Sequence, residues 1–360
     1  VRIAIDASRC TVARVTGTEN YAIQLIRSLI RLNTKHNITL YFRDQPRPDL
    51  FPSSPLVEQC VITFQRAWTH LRFAAALWQD RPDVTFVPAH TLPILFPGRA
   101  VVTVHDLGFK HFPQAHPVKQ RLYLDWTTRY SASRASVILA DSQATADDLH
   151  QFYGTPTSKI RVLYPGVDAP TVGNIEAVRH KYQLPERYFL FIGTLQPRKN
   201  IARLVQAYTR WREQNPSDPA GLVLAGGKGW LYDPAWTSGV EGIHQTGYID
   251  DVDKGALYAG ALALVFPSLY EGFGFPALEA MHSGTAVIAS RTSSLPELVG
   301  NAGLLVDPLA TQSIADAMSQ LAQAESLRQS LITKGYQRVK TFTWEAAAVQ
   351  LLSALESAQY

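Results

Sequence analysis

The 360-residue chain is poor in cysteine, in long apolar runs and in the short motifs that mark metal or nucleophile chemistry. Its two cysteines, Cys10 and Cys60, are too few for a disulfide framework or a zinc knot. They read as small buried residues of a reducing compartment. No apolar run approaches the ~20 residues that span a bilayer. The opening VRIAIDASRC reads as a strand rather than the apolar core of a signal peptide. It starts at Val, so residues ahead of it can have been lost or processed away. HExxH, GxSxG and paired CxxC are missing, which excludes zinc-protease, serine-hydrolase and zinc-finger chemistry. Gly226-Gly227-Lys228-Gly229 lacks the Ser or Thr that follows the lysine of a Walker loop, and Gly272-Phe273-Gly274 lacks the third glycine of a dinucleotide fingerprint. Basic residues are not interleaved with aromatics, so no nucleic-acid partner is expected.

What is present describes a globular protein, with 46% apolar and 18% charged residues and room for two domains. The net charge of +4 is uneven. Residues 1–170 hold 19 Lys and Arg against 13 Asp and Glu, and the remainder holds 15 against 17. A basic first half hints at an acidic acceptor or at peripheral contact with an anionic membrane, and a modest excess also simply aids solubility.

Strand and helix patterns alternate along both halves. In the first, strands are expected at Arg2–Ser8, Ile38–Phe42, Gln59–Phe64, Val84–Val87, Ala100–Val104, Ser136–Asp141 and Ile160–Leu163. Helices are expected over Glu19–Leu32, Leu71–Gln79, Pro117–Arg134 and Ala144–Phe152. The Pro117–Arg134 helix carries Leu122, Trp126 and Tyr130 on one stripe with Lys119, Arg121, Arg129 and Arg134 around it. That pattern fits an ordinary half-buried helix, or one resting on a membrane interface. Tyr164–Pro170 is turn chemistry and reads as the linker. The second half has strands at Tyr188–Ile192, Leu222–Ala225, Ile243–Tyr248, Ala261–Phe266 and Leu304–Val306. Its helices run to Arg212 and over Asp250–Ala259, Thr311–Glu325 and Leu327–Val339, and Trp344–Ala358 closes the chain. Such alternation predicts two doubly wound α/β domains, with ligand in the cleft between them at the carboxyl ends of the strands.

The central stretch is Ala261–Ser290, ALALVFPSLYEGFGFPALEAMHSGTAVIAS. A buried strand runs into Gly272 and Gly274, and Phe275-Pro276 opens a helix, proline suiting that first turn. Backbone N–H groups at such a helix start suit an anion. Yet Glu271 and Glu279 flank the loop, and carboxylates suit a ligand that offers hydroxyls. Phosphate together with polyol suggests a nucleotide sugar; the bland alternative is a turn with two surface glutamates. Arg198 and Lys199, on a loop after a strand, suit a diphosphate, one as a planar fork and one as a point charge, and are otherwise a solvated pair. His105 and Asp106 end a buried strand, either to contact substrate or to cap the next turn. Gly17, at a helix entrance, either lets the backbone approach a phosphate or permits a turn. The residues alone leave each of these open.

Glu271-Gly-Phe-Gly-Phe-Pro-Ala-Leu-Glu279 resembles the E-x7-E motif of retaining GT-B glycosyltransferases, specifically glycosyltransferase family 4. Gly193-Thr-Leu-Gln-Pro-Arg-Lys-Asn200, Val102–Gly108, Leu222–Trp230 and Tyr164–Asp168 resemble that family in the same order, so the likeness covers essentially the whole chain. It implies a GT-B fold of two Rossmann-like domains facing each other across a cleft. Residues 1–168 would form the acceptor side, completed by a last helix, 343–360, that crosses back; residues 169–342 would bind the donor. Arg198 and Lys199 would clamp the donor diphosphate, with Gly17 near it from the other domain. Glu271 and the N–H groups of Gly272, Phe273, Gly274 and Phe275 would face the sugar, Glu279 the ribose hydroxyls and the backbone at Ile249 the base. His105 would lie near the reaction centre.

The implied activity is metal-independent and retaining. It moves a hexose from a nucleotide sugar, UDP-glucose or GDP-mannose, to a glycan or lipid-linked acceptor in polysaccharide or glycolipid synthesis. No cofactor beyond that co-substrate is expected, and Asp250-Asp251-Val252-Asp253 reads as a helix N-terminus rather than a metal-binding triplet. The expected address is the cytoplasm, with association at the inner face of the membrane as a further expectation. The alternatives are a GT-B nucleotide-sugar epimerase, a phosphorylase-like enzyme and a non-catalytic nucleotide-sugar binder.

Overall fold

Segments such as Val101–Val104 and Ala263–Phe266 are apolar at nearly every position, so they need cover on both faces. A parallel sheet with helices on either side gives that cover. A computed structural model describes residues 1–12, 16–64, 67–115 and 117–358, and the chain divides into two units of that kind.

The first unit comprises Val1–Gly166 and Phe342–Tyr360. Its strands are β1 (Arg2–Asp6), β2 (Asn37–Phe42), β3 (Val57–Val61), β4 (Val84–Val87), β5 (Arg99–Val104), β6 (Val137–Ala140) and β7 (Ile160–Val162). They form one parallel sheet in the order β3-β2-β1-β4-β5-β6-β7. The second unit, Val167–Thr341, holds β8 (Tyr188–Ile192), β9 (Gly221–Ala225), β10 (Ile243–Gly247), β11 (Ala263–Phe266), β12 (Ala286–Ser290) and β13 (Leu304–Val306). Here the order is β10-β9-β8-β11-β12-β13, again parallel. Each sheet grows outward from its first strand in one direction and then in the other. The reversal falls between β1 and β4 in one unit and between β8 and β11 in the other. At such a point the flanking loops part and leave room for a ligand outside the carboxyl ends.

The last helix, Trp344–Ser357, packs on Gly17–Arg31 in the first unit. Trp344 meets Tyr21 with ring centroids 6.2 Å apart, Phe342 meets Tyr164 at 5.7 Å, and His36 Nε2 lies 2.9 Å from Glu356 Oε1. The crossing needs glycine at position 166, where a Cβ would sit 2.2 Å from the Trp344 backbone nitrogen. The division falls one or two residues from the expected 168/169 and 342/343. A His282 ring nitrogen bonds to the Val167 backbone within the second unit, and Phe342 meets Tyr164 within the first.

Several element readings change. β1 stops at Asp6, not Ser8, because Asp6 Oδ1 accepts the Ser8 N–H at 3.0 Å and the chain enters a 3-10 turn, Ser8–Thr11. The acidic run 250–253 does precede a helix, Lys254–Ala259, but its charges are held by cations. Lys181 reaches Asp250 and Asp253 at 2.7 and 2.6 Å, and Lys254 reaches Asp251 at 2.6 Å. Lys181 ends a helix, Ile175–Lys181, that the periodicity does not show. In the helix Val118–Arg134 the buried residues are Thr127, Thr128, Ser131 and Ala132, and the expected stripe faces outward at Leu122 and Trp126.

Candidate functional site

The loops at the reversal of the second sheet carry the residues singled out by the sequence. After β8 the chain passes Gly193, makes a 3-10 turn at Pro197–Lys199 and enters the helix Ile201–Gln214 through Asn200. Asn200 has φ 62°, a left-handed conformation that asparagine tolerates. Its side-chain amide donates to the carbonyls of Pro267 at 3.0 Å and Pro308 at 2.7 Å. One buried amide thereby ties the loop after β8 to those after β11 and β13.

Arg198 and Lys199 converge on Glu271. Arg198 Nη1 donates to the Tyr270 carbonyl at 2.6 Å and to Glu271 Oε2 at 3.2 Å, and Lys199 Nζ donates to Glu271 Oε1 at 2.5 Å. The Glu271 N–H donates to Ser293 Oγ at 2.9 Å, and Ser294 Oγ donates to the Glu271 carbonyl at 3.0 Å. Glu271 is only 6% exposed. Burial pushes its carboxyl up, and Lys199 and Arg198 more than offset that, holding it below its ordinary value. The cluster of two cations and one carboxylate keeps a net positive charge at the carboxyl end of the sheet, which suits an anion.

Gly272, Phe273 and Gly274 are buried, and Gly274 (φ 139°) leads into the helix Phe275–His282. A Cβ at Gly274 would lie 2.8 Å from Leu295, a residue of the helix Leu295–Val299, which the sequence reading passes over. Glu279 lies a full turn into its helix and faces other partners. Tyr258 donates to Glu279 Oε2 at 2.8 Å, and Lys254 is close enough to favour its charge, yet burial still raises its carboxyl above the ordinary value. The two glutamates are thus held separately, Glu271 by the loop after β8 and Glu279 by the helix Lys254–Ala259. Ile249 is buried.

Gly226–Gly229, unassigned by motif, has a packing role. A Cβ at Gly226 (φ 140°) would lie 2.1 Å from the Gly193 carbonyl oxygen, and Leu195 N–H donates to the Gly227 carbonyl at 2.9 Å. The loops after β8 and β9 lie flat against each other, which fixes the turn carrying Arg198 and Lys199.

In the first unit, His105 follows β5 and Gly17 is the exposed first residue of its helix. His105 Nδ1 lies 2.7 Å from Asp141 Oδ2 and Nε2 lies 3.1 Å from the Pro88 carbonyl. Both ring nitrogens thus face oxygen partners, an arrangement that favours the protonated ring. Burial lowers its affinity for that proton, and Asp141 more than restores it. Tyr21 meets the ring edge-on at 4.8 Å and His90 at 5.7 Å. His90 is accordingly neutral, its pKa lowered to about 4 by burial and by the His105 charge. Asp106 takes the capping role, accepting the Gly108 N–H at 2.8 Å. Asp141 itself was missed, although it ends β6 as His105 ends β5. Asn200 and Ser293 were also missed. Among the described residues no group of three or more His, Cys, Asp or Glu could hold a metal ion, and no helix is long and apolar enough to cross a membrane.

The family described as Glycosyltransferase Family 4 matches residues 15–170, and that described as Glycosyl transferases group 1 matches residues 174–338. The chain is 35% identical over 272 residues to O-antigen chain mannosyltransferase B of Escherichia coli, covering 71% of this chain and 70% of that protein. It is 29% identical over 267 residues to the serotype-specific mannosyltransferase WbdA of Escherichia coli, 70% of this chain, and spans only 32% of that longer protein. Among solved structures, Anabaena Alr3699/HepE in complex with UDP and glucose superposes with a TM-score of 0.73 at 16% identity over 99% of each chain, a likeness of fold.

Proposed function

The chain belongs to glycosyltransferase family 4 and has the GT-B fold, and we propose that it is a retaining hexosyltransferase that uses a nucleoside-diphosphate sugar. GDP-mannose is the preferred donor of the two expected, with UDP-glucose second, because the relatives named above are mannosyltransferases. The acceptor is a glycan or a lipid-linked glycan of a surface polysaccharide. The observation that carries this reading is the placement of Arg198 and Lys199, fixed by Glu271, at the reversal of the second sheet.

There the two cations hold the donor diphosphate and stabilise the charge that grows on it as the sugar C1–O bond breaks. The electron pair of that bond leaves with the diphosphate. The acceptor hydroxyl oxygen bonds to C1 from the same face and gives its proton to the departing phosphate oxygen. The products are the glycoside and the nucleoside diphosphate. Arg198 and Lys199 do the work a divalent metal does at other diphosphate sites, so no metal is required. Gly272 to Phe275 offer N–H groups toward the sugar, Glu279 accepts from the ribose, and the backbone at Ile249 meets the base. His105, with both ring nitrogens facing oxygen partners, holds its loop through Asp141 and the Pro88 carbonyl.

The test is turnover with GDP-mannose and UDP-glucose in EDTA, with a lipid-linked oligosaccharide fraction as acceptor and the anomer of the product read by NMR. An α-linked product from an α-linked donor, formed without metal, is expected. A β-linked product contradicts retention, and conversion of the free nucleotide sugar without acceptor assigns an epimerase instead.

A further inference from the structure

Tyr258, in the helix Lys254–Ala259, is among the largest side chains wholly removed from water. A buried phenol hydroxyl needs a partner, because an unpaired one forfeits the water it gave up. Here the partner is a carboxylate. Tyr258 OH donates to Glu279 Oε2 at 2.8 Å. Burial and the Glu279 charge push the phenol well above its ordinary value, so it stays a donor at any working pH. The ring cannot shift easily, since Thr285 Oγ1 donates to the Tyr258 carbonyl at 2.7 Å just ahead of β12.

Glu279 itself is half-buried. Its Oε2 is taken by Tyr258, while its Oε1 accepts no hydrogen bond among the described residues. The charged groups that bear on it are Lys254, which favours its charge, and Asp251, which opposes it. Lys254 is itself paired with Asp251 at 2.6 Å. Tyr258 therefore gives the direct hydrogen bond that this carboxylate receives, and Lys254 acts on it only through its field.

From this division of the two oxygens we infer that Tyr258 is a positioning residue for the donor ribose: it fixes one oxygen of Glu279 and leaves the other, in a set orientation, for the two neighbouring ribose hydroxyls. Without the phenol the carboxylate could rotate, and in its buried setting it would take up a proton more readily and lose acceptor capacity. The inference rests on Glu279 as the ribose acceptor, and its test separates the two.

The experiment is calorimetric titration, in EDTA, of GDP and UDP and of their 2′,3′-dideoxy counterparts. They are titrated into the full chain, Glu279→Ala, Tyr258→Phe and Lys254→Gln, with thermal unfolding to show that each variant is folded. For the nucleotide that binds, the parent should prefer the ribose form about 10- to 100-fold, the worth of charge-assisted hydrogen bonds. Glu279→Ala should abolish that preference. Tyr258→Phe, which loses one oxygen and keeps the ring, should cut it about tenfold and leave affinity for the dideoxy form unchanged. A merely structural fault would weaken both forms alike. The preference should fade as pH falls through the Glu279 pKa. In Tyr258→Phe it should fade at higher pH, since the lost donor favours the charged carboxylate. Lys254→Gln, which keeps the hydrogen bond, should retain the parent preference at alkaline pH. No binding by either nucleotide, or a preference that survives Glu279→Ala, overturns the ribose reading and the inference with it. A preference lost in Glu279→Ala but kept in Tyr258→Phe overturns the inference alone, as does equal weakening of both nucleotide forms.

Discussion

Glu271 is the residue on which the donor-side loops depend. It neutralises half of the charge brought by Arg198 and Lys199 and does so while buried, so removing it takes the carboxylate from two cations. Glu271→Gln should cost about 3 kcal/mol of stability, the scale of a broken buried pair, read by denaturant unfolding. Because its folded pKa is depressed, its contribution is present above its unfolded value and is lost as pH falls through the folded one. His90 gives a second acid-side slope. It is neutral when folded but takes a proton when unfolded, so stability should fall by about 1 kcal/mol per pH unit from 6.5 toward 4. His90→Gln should flatten that slope between pH 6.5 and 5, read as unfolding free energy against pH. At this scale the sequence identifies the charged residues but not their pairing. Arg198, Lys199 and Glu271 could be singled out by type and neighbourhood. That one carboxylate holds both cations depends on two loops 72 positions apart in the chain. Asp141 was silent for the same reason, since nothing local distinguishes a carboxylate that will meet His105 from one that caps a turn.

Elements were legible where burial is two-sided. β5, β8 and β11 are apolar along most or all of their length and could hardly be anything but central strands. The helices Ile175–Lys181 and Leu295–Val299 are too short to display a period. In Val118–Arg134 the spacing tells which residues share a face and not which of them turn inward, and the stripe divides, with Leu122 and Trp126 exposed and Tyr130 packed on the core. The loop after β9 fits no phosphate-loop motif, and its glycines serve packing. Gly226→Ala would set a Cβ 2.1 Å from the Gly193 oxygen at a φ that alanine avoids. It should lower stability by about 1–3 kcal/mol and weaken donor binding through displacement of Arg198 and Lys199, read by thermal unfolding and calorimetry together.

At the scale of the whole molecule, the chain is two sheet units of which the first is closed by the returning helix Trp344–Ser357. Its return is fixed at Gly166, so Gly166→Ala should loosen the Trp344–Ser357 helix, read as faster hydrogen exchange there and not in β8 to β13. The two-unit plan could be read from the alternation of strand and helix. The reversal point of the second sheet then gives the molecule one place where a backbone turn, a helix start and two cations meet. Calorimetric titration of UDP and GDP into the full chain and into Arg198→Ala, in EDTA, tests that claim most directly. One nucleoside diphosphate should bind without metal, and Arg198→Ala should weaken it about 10- to 100-fold, the worth of a charge-assisted contact. Equal affinity in a folded Arg198→Ala protein would contradict it.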